Sequence, residues 1–316
     1  MILVTGAAGF IGCNLVRELN KAGETEIILC DILGQSAKWK NLLGLNYREY
    51  VEGPDLFNSI KDRTDIQCIF HLGACSDTLE EDMSYLVKNN FEFSKELFLY
   101  SKSSSSRFIY ASSAATYGFG ENGFSDDHNL LEKLRPLNKY GFSKHLFDLW
   151  LLRNNYLNDA VGLKYFNIYG PYEDHKDNMR SLVNKAYQQV SDTGKIKLFK
   201  SNHPDYKDGE QKRDFLYVKD AVKMTIHFMK TTDSGIFNIG SGRAETWNQL
   251  ATALFKAINR KANIEYINMP DAISSQYQNY TCADIDKLRA AQYAENITSL
   301  ENAVSDYVKS HLSKTV

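Results

Sequence analysis

Residues 2–12, Ile-Leu-Val-Thr-Gly-Ala-Ala-Gly-Phe-Ile-Gly, constrain the fold more than any other stretch of the chain. A short apolar run meets glycines at 6, 9 and 12, and the following "FIGCNLVRELNKAG" carries apolar residues at helical spacing. Strand, tight turn and helix in that order open a parallel, doubly wound sheet. Gly6 suits the turn, Gly9 lets a pyrophosphate approach the backbone, and Gly12 allows close packing of helix on strand. The helix N-terminus then attracts the phosphates. Glycine patterns this short recur by chance, so context decides. Asp31 ends the next apolar run, at the spacing where an acid bonds an adenosine ribose. A carboxylate there repels a 2′-phosphate, and Lys38, a few residues on, offsets that repulsion. A dinucleotide is expected, with its phosphorylation state open.

The same rhythm continues through the first half. "EIILCD" (26–31), "CIFHLGA" (68–74), "RFIYASS" (107–113) and "AVGLKYFNIYG" (160–170) read as strands. "MSYLVKNNFEFSKELFLYSKS" and "YGFSKHLFDLWLLRNNY" (140–156) read as helices between them. The expected fold is α/β, a Rossmann-type doubly wound parallel sheet with a smaller, discontinuous α/β substrate-binding lobe. Residues 1–168 plus about 214–260 are expected to form the dinucleotide domain, and about 169–213 plus 261–316 the smaller lobe. The polar run 200–212 should be an exposed loop, whereas "RDFLYVKDAVKMTIHFMK" and "GIFNIGSG" should return to the sheet.

Bulk properties exclude other classes. A formal net charge of −2 gives no field for nucleic acid or an anionic membrane. Five cysteines without Cys-x-x-Cys read as reduced thiols in a cytoplasmic protein with no metal site. "MILVTGAAGFIG" has no basic segment ahead of its apolar run, so it is not read as a signal peptide. No apolar stretch is long enough to span a membrane.

Tyr-x-x-x-Lys occurs at Tyr140/Lys144 and again at Tyr172/Lys176. Hydride transfer at a secondary alcohol needs a proton moved on its oxygen, and a free phenol titrates near ~10, too high to serve unaided. A lysine one helical turn away stabilises the phenolate and can hold the nicotinamide ribose. Tyr140 and Lys144 lie in a helical pattern and share a face. Tyr172 and Lys176 follow Gly170-Pro171 without such a pattern, so Tyr172 is expected to be a wall residue. Ser113, at the end of "IYASS", sits where a strand's C-terminal end faces the ligand crevice. Asn89 is expected near the nicotinamide. Leu72, Gly73, Ala74, Cys75 and Ser76 should border the cofactor, with Cys75 a small buried thiol and not a nucleophile. Asn167, at a strand end, is expected to bond substrate hydroxyls or phosphate.

The glycine turn, Asp31, Ser113 and Tyr140-x-x-x-Lys144, in this order, resemble the extended short-chain dehydrogenase/reductase superfamily. "FHLGACSDT" (70–78), "YASSAATYG" (110–118), "RPLNKYGFSKHLFD" (135–148), "YFNIYGPYEDHKDNM" (165–179) and "CADIDKLRAAQY" (282–293) are similar to its ADP-L-glycero-D-manno-heptose 6-epimerase family. The resemblance runs nearly the full chain. It implies inversion of one carbinol of an ADP-heptose, for lipopolysaccharide, by a cytoplasmic homo-oligomer, with a pentamer as the expected form. It implies NADP, while Asp31 and Gly53 keep NAD open. Phe10 and Ile11 in the turn, Ile32 beside Asp31, and Ile168 are counted with the cofactor contacts. "RDFLYVKD" (213–220) implies that Arg213 binds the substrate diphosphate. Asn178, Lys185, Phe199, Lys200, Ser201, Asn202 and Tyr277 are carried over as substrate contacts.

An unactivated carbinol is hard to deprotonate, but transient oxidation removes its stereocentre. The ketone can rotate and take the same hydride on its other face. Rotation moves the oxygen, so one acid cannot serve both epimers equally. Tyr140 is therefore expected to serve one epimer and Lys176 the other, and the resemblance assigns a second base to the same lysine. Lys144 is expected to lower Tyr140 and hold ribose, and Lys176 is counted among the cofactor neighbours. Dehydration is disfavoured because Ala114 and Ala115 stand where an acidic pair would follow Ser113. A UDP-hexose 4-epimerase is the nearest enzyme alternative, and a non-catalytic NADP-binding redox sensor the alternative outside enzymes.

Overall fold

The short apolar runs of the first half become parallel strands because each is too short for a helix and is flanked by turn residues. The structure, a computed structural model, describes residues 1–274 and 277–314. In chain order the first half contains β1 (Ile2–Thr5), α1 (Phe10–Lys21), β2 (Ile27–Asp31), β3 (Glu49–Glu52), α2 (Leu56–Ile60) and β4 (Cys68–His71). It continues with α3 (Met83–Leu86), α4 (Phe93–Ser104), β5 (Arg107–Ser113), α5 (Lys139–Arg153) and β6 (Ala160–Tyr165). The second half adds β7 (Asn167–Tyr169), α6 (Leu182–Thr193), β8 (Ile196–Phe199), β9 (Lys212–Arg213), β10 (Phe215–Tyr217) and α7 (Val218–His227). Then come β11 (Gly235–Ile239), β12 (Glu245–Thr246), α8 (Trp247–Ala257), β13 (Ile264–Ile267), α9 (Asp271–Ser274), α10 (Asp286–Ala290) and α11 (Leu300–Ser310).

The main sheet has seven strands in the order β11-β6-β5-β4-β1-β2-β3, and every pairing in it is parallel. The expected doubly wound architecture is what forms. Both faces are covered, so β1 is buried throughout and reads as a continuous apolar run. On one face Val4, Leu29 and Phe70 pack with Leu15, Val16 and Leu19 of α1. On the other, Leu3, Ile28 and Ile69 pack with Leu97 and Phe98 of α4. Each such side chain contributes about 1.5–3 kcal/mol by leaving water. Strand order reverses between β1 and β4, which opens a crevice at their C-terminal ends. The segments after β1 and β4 nearly touch there: a Cβ on Gly6, whose φ is +68°, would lie 2.6 Å from the Gly73 nitrogen.

Three local departures from the expectations have physical causes. The single strand expected over 160–170 breaks at Phe166. The Phe166 amide still bonds Ile239 in the main sheet (3.0 Å), but the Asn167 amide bonds Asp214 (3.1 Å) and starts a new pairing. Of the two segments expected to return to the sheet, only "GIFNI" does so, as β11, while "FLY" pairs with β7 as β10. A π-helical stretch, Val87–Glu92, joins α3 to α4 and shifts the register of the residues it carries. No helix among the described residues is long and apolar enough to cross a membrane.

Candidate active site

The β1–α1 turn is built to receive phosphate. Gly9 caps α1 with extended backbone and no side chain, leaving the first-turn amides for a ligand. Gly12 is enforced by packing, since a Cβ there would sit 2.1 Å from the Gly6 carbonyl oxygen. Asp31 holds the turn from the next strand, accepting from the Ala8 amide (2.8 Å) and the Ile32 amide (2.7 Å). Lys38 Nζ donates to Asp31 Oδ1, the oxygen that also accepts from Ile32, at 2.7 Å, which is the charge offset expected from the sequence. Gly53 lies against Ile32, where a Cβ would come within 2.6 Å of the isoleucine side chain.

From this turn a cleft of about 790 Å³ runs across the C-terminal ends of the strands. Phe10, Ile11, Leu72, Ala74, Ser76 and Ile168 border it. Cys75 is fixed through its backbone to Asn90, whose amide also donates to Ser143 Oγ at 2.9 Å. Burial raises the Cys75 thiol, in keeping with an inert side chain.

Asn138 caps α5 by accepting from the Gly141 amide at 2.7 Å, and this sets the helix that presents Tyr140, Lys144 and Asp148 at successive four-residue steps. Tyr140, Lys144 and Ser113 line the cleft together. Burial raises the Tyr140 phenol, and a hydrogen bond with Ser113 opposes that. The sequence reading expects Lys144 to lower Tyr140, but the group that lowers it here is Ser113, and desolvation outweighs it. Lys144 is itself pushed down to about 8 by burial, with Asp148 acting against the shift. Ser113 Oγ also accepts from the Ala115 amide at 3.1 Å, so it serves the local turn as well as the cleft.

Lys176 enters the same cleft from the segment Asp174–Met179, a 3-10 turn broken at Asp177. Its Nζ lies 5.4 Å from the centre of the Phe10 ring, on the cofactor side. Burial lowers its ammonium, and buried Glu173 opposes this. Tyr172 has a left-handed backbone, φ +73°, and its ring stacks under Arg17 at 4.2 Å. The two Tyr-x-x-x-Lys spacings thus have different geometry, and Tyr172 and Lys176 share no helical face.

At the far end, Asn167, Lys185, Phe199 and Tyr277 border the cleft. Arg213 is buried between the rings of Tyr277 (4.9 Å) and Trp247 (5.7 Å). It donates to the Lys212 carbonyl at 2.9 Å, and no carboxylate pairs with it among the described residues. Burial lowers it. A buried guanidinium without an acid suits an anionic ligand.

Other sequence-derived positions fall outside this wall. Asn178 is exposed, and its carbonyl accepts from Lys185. Lys200, Ser201 and Asn202 run into the loop after β8, where Ser201 bonds Asp208 and Asn202 bonds Ser274. Asn89 turns outward and donates to the Tyr85 carbonyl at 2.7 Å, because the π-helical register brings Asn90 inward instead. Asn90, the neighbour of Asn89, carries no signal in the sequence that sets it apart. Glu173, Asn41 and Trp247 likewise carry none, since their roles depend on contacts distant along the chain.

Residues 2–240 match the model of the NAD dependent epimerase/dehydratase family. The chain is 45% identical over 317 aligned positions to the ADP-L-glycero-D-manno-heptose-6-epimerase of Nitratidesulfovibrio vulgaris, covering 99% of this chain and 98% of that protein. Its structure resembles the crystal structure of Helicobacter pylori ADP-L-glycero-D-manno-heptose-6-epimerase, with a TM-score of 0.81 at 28% identity over 98% of this chain and 95% of that one. It also resembles UDP-glucuronic acid 4-epimerase from Bacillus cereus in complex with NAD, with a TM-score of 0.77 at 27% identity over 98% of each chain.

Proposed function

The chain belongs to the NAD dependent epimerase/dehydratase family, and from that premise we propose that it interconverts ADP-D-glycero-D-manno-heptose and ADP-L-glycero-D-manno-heptose. It is an isomerase that works with a nicotinamide cofactor on a nucleotide sugar. The observation that carries the reading is that Tyr140 and Lys176 reach one cleft from separate elements. A carbinol inverted through a rotating ketone needs two proton-handling groups at two places, and a simple dehydrogenase needs one.

A nicotinamide bound in the cleft would supply the hydride acceptor and donor for C6. Gly6 and Gly9 would seat the pyrophosphate, with Gly12 keeping α1 close to the turn, Asp31 would hold the adenosine ribose and Lys144 the nicotinamide ribose. Tyr140, bonded to Ser113 and one helical turn from the Lys144 ammonium, would act as the phenolate and take the hydroxyl proton of one epimer. With the ketone turned about its exocyclic bond, Lys176 would give a proton to the oxygen as reduction at the opposite face restored the alcohol. Solvent exchange restores both groups. In the reverse direction the two exchange roles. Arg213 between its two rings binds the diphosphate, with Lys185 and Tyr277 beside it.

The Lys38–Asp31 ion pair favours NADP, because it cancels the carboxylate that would repel a 2′-phosphate. Residues 1–168 plus about 214–260 hold the dinucleotide, and about 169–213 plus 261–316 hold the sugar nucleotide. The protein is a cytoplasmic homo-oligomer, a pentamer, and supplies heptose for the lipopolysaccharide core. Single-turnover hydride exchange with each epimer tests the mechanism. Tyr140→Phe should impair oxidation of one epimer and Lys176→Met that of the other, and equal, mild losses from Lys176→Met with both epimers would overturn it. The mass of the cofactor released on denaturation decides NADP against NAD.

A further inference from the structure

Asn41 touches the cofactor turn and the Lys176 segment at once. It lies nearly buried in the 3-10 turn Ala37–Leu42. Its Nδ2 stands 2.9 Å from the Ala8 carbonyl, 3.3 Å from the Tyr172 carbonyl and 3.1 Å from His175 Nδ1. Two amide hydrogens are thus shared among three acceptors on two segments that are 131 and more residues apart in sequence from Asn41 or lie across from it in the glycine turn. Both backbone groups of Ala8 are held, its N–H by Asp31 and its carbonyl by Asn41. Any ligand that orders the glycine turn therefore also orders the acceptor that Asn41 reads.

The Lys176 segment is moored on two sides. On one, Glu173 accepts from Ser181 Oγ (2.6 Å), the Tyr307 hydroxyl (3.0 Å) and the Gly170 amide (3.3 Å), away from the cofactor turn. On the other, helix α1 and Asn41 hold it: Asn14 Nδ2 donates to the Pro171 carbonyl at 2.9 Å, and Arg17 bridges the Asn41 carbonyl (3.0 Å) and the Tyr172 ring. Between these moorings Tyr172 and Asp177 both keep φ above +40°, at +73° and +46°. Non-glycine residues hold such backbone only where their surroundings fix it.

We propose that Asn41 is a positioning residue that couples occupancy of the dinucleotide turn to the placement of Lys176. The assignment of a consequence for catalysis rests on Lys176 being the second proton donor. Asn41 itself touches no reacting atom. It aligns the Ala8 peptide with the Tyr172–His175 backbone, so that Lys176 is set only when the turn is set.

Amide hydrogen exchange on the full chain, stripped of cofactor and reloaded with NADP, tests the coupling directly. In the unaltered protein NADP should slow exchange both at 9–13 and at 173–176, the latter by roughly tenfold or more. In Asn41→Ala, NADP should still slow 9–13 while 173–176 change by less than about twofold. Equal slowing at 173–176 in both proteins, or none in the unaltered protein, overturns the proposal. So does a variant that cannot take up NADP at all, because Asn41 would then be a binding residue. If Asn41→Ala does not fold, Asn41→Leu keeps the volume without the donor and carries the same comparison. In single turnovers, Asn41→Ala should slow the epimer that Lys176→Met slows by roughly tenfold, and the other by less than about twofold. Symmetric losses from Lys176→Met would refute the proton-donor reading, while the exchange experiment would still decide the coupling.

Discussion

Lys164 Nζ donates to Asp148 Oδ2 at 2.6 Å, with both side chains wholly out of solvent. The same carboxylate accepts from Tyr110 and Ser112, each at 2.8 Å, and Lys164 also donates to Thr116 at 2.6 Å. This network ties the face of α5 that carries Tyr140 and Lys144 to β5, which carries Ser113. Removing one partner leaves the other buried and uncompensated, which costs about 3–5 kcal/mol. Lys164→Met and Asp148→Asn should each lower the urea midpoint accordingly. The double variant should lose less than the sum, and a strictly additive loss would show that the pair acts as two independent groups.

Gly9 and Gly12 predict opposite phenotypes. A Cβ at Gly9 would stand 3.1 Å from the Gly6 carbonyl oxygen, a contact that a few tenths of an ångström relieve, whereas at Gly12 it would stand 2.1 Å from that oxygen and 2.8 Å from its carbon. Gly12→Ala must move backbone and should cost about 1–3 kcal/mol or more. Gly9→Ala should keep stability within about 1 kcal/mol yet retain less nicotinamide, since its methyl faces the phosphate approach. Thermal unfolding and the nicotinamide absorbance per chain read the two effects separately.

The architecture was legible because its signals are local. "ILVTG" and "RFIYASS" carry their strand character in four to seven residues, and Tyr140/Lys144 share a face by helical geometry alone. Asn89 points outward where the sequence predicts a cofactor contact, because a helical spacing carries no sign of a π-helical turn, and that turn rotates Asn90 inward. Lys200, Ser201 and Asn202 were placed by likeness of a run to a family pattern. In this chain the run leaves the cleft at Phe199, and its polar groups bond within the loop. Glu173 and Asn41 carry no local signal at all, since each is defined by partners on other elements.

Arg213 yields a prediction about binding alone. Its guanidinium has two aromatic neighbours and no acid among the described residues, so a diphosphate would be its charge partner. Arg213→Gln should raise KM by about 10- to 150-fold, the equivalent of 1.5–3 kcal/mol for a hydrogen-bonded charge, with cofactor content unchanged. Arg213→Lys should restore little, because a point charge lacks the planar fork held between the rings. Substrate titration at saturating cofactor measures both, and an unchanged KM in Arg213→Gln would remove the diphosphate role.

Lys144 sets function against stability, and pH separates the two. Burial lowers it from 10.5 to about 8, so below pH 8 the folded chain carries a buried ammonium that the unfolded chain keeps in water. Between about 8 and 10.5 the unfolded state binds the extra proton, and stability contributed by this group rises with pH through that window. Lys144→Met removes the buried charge. It should therefore be more stable than the unaltered protein at pH 7, by about 1–3 kcal/mol, and inactive in hydride exchange. The advantage should shrink as pH climbs from 8 toward 10 and the unaltered protein sheds its proton. Urea unfolding at pH 7 and pH 9.5 measures it, and a difference independent of pH would mean that Lys144 keeps an ordinary affinity for its proton in the folded chain.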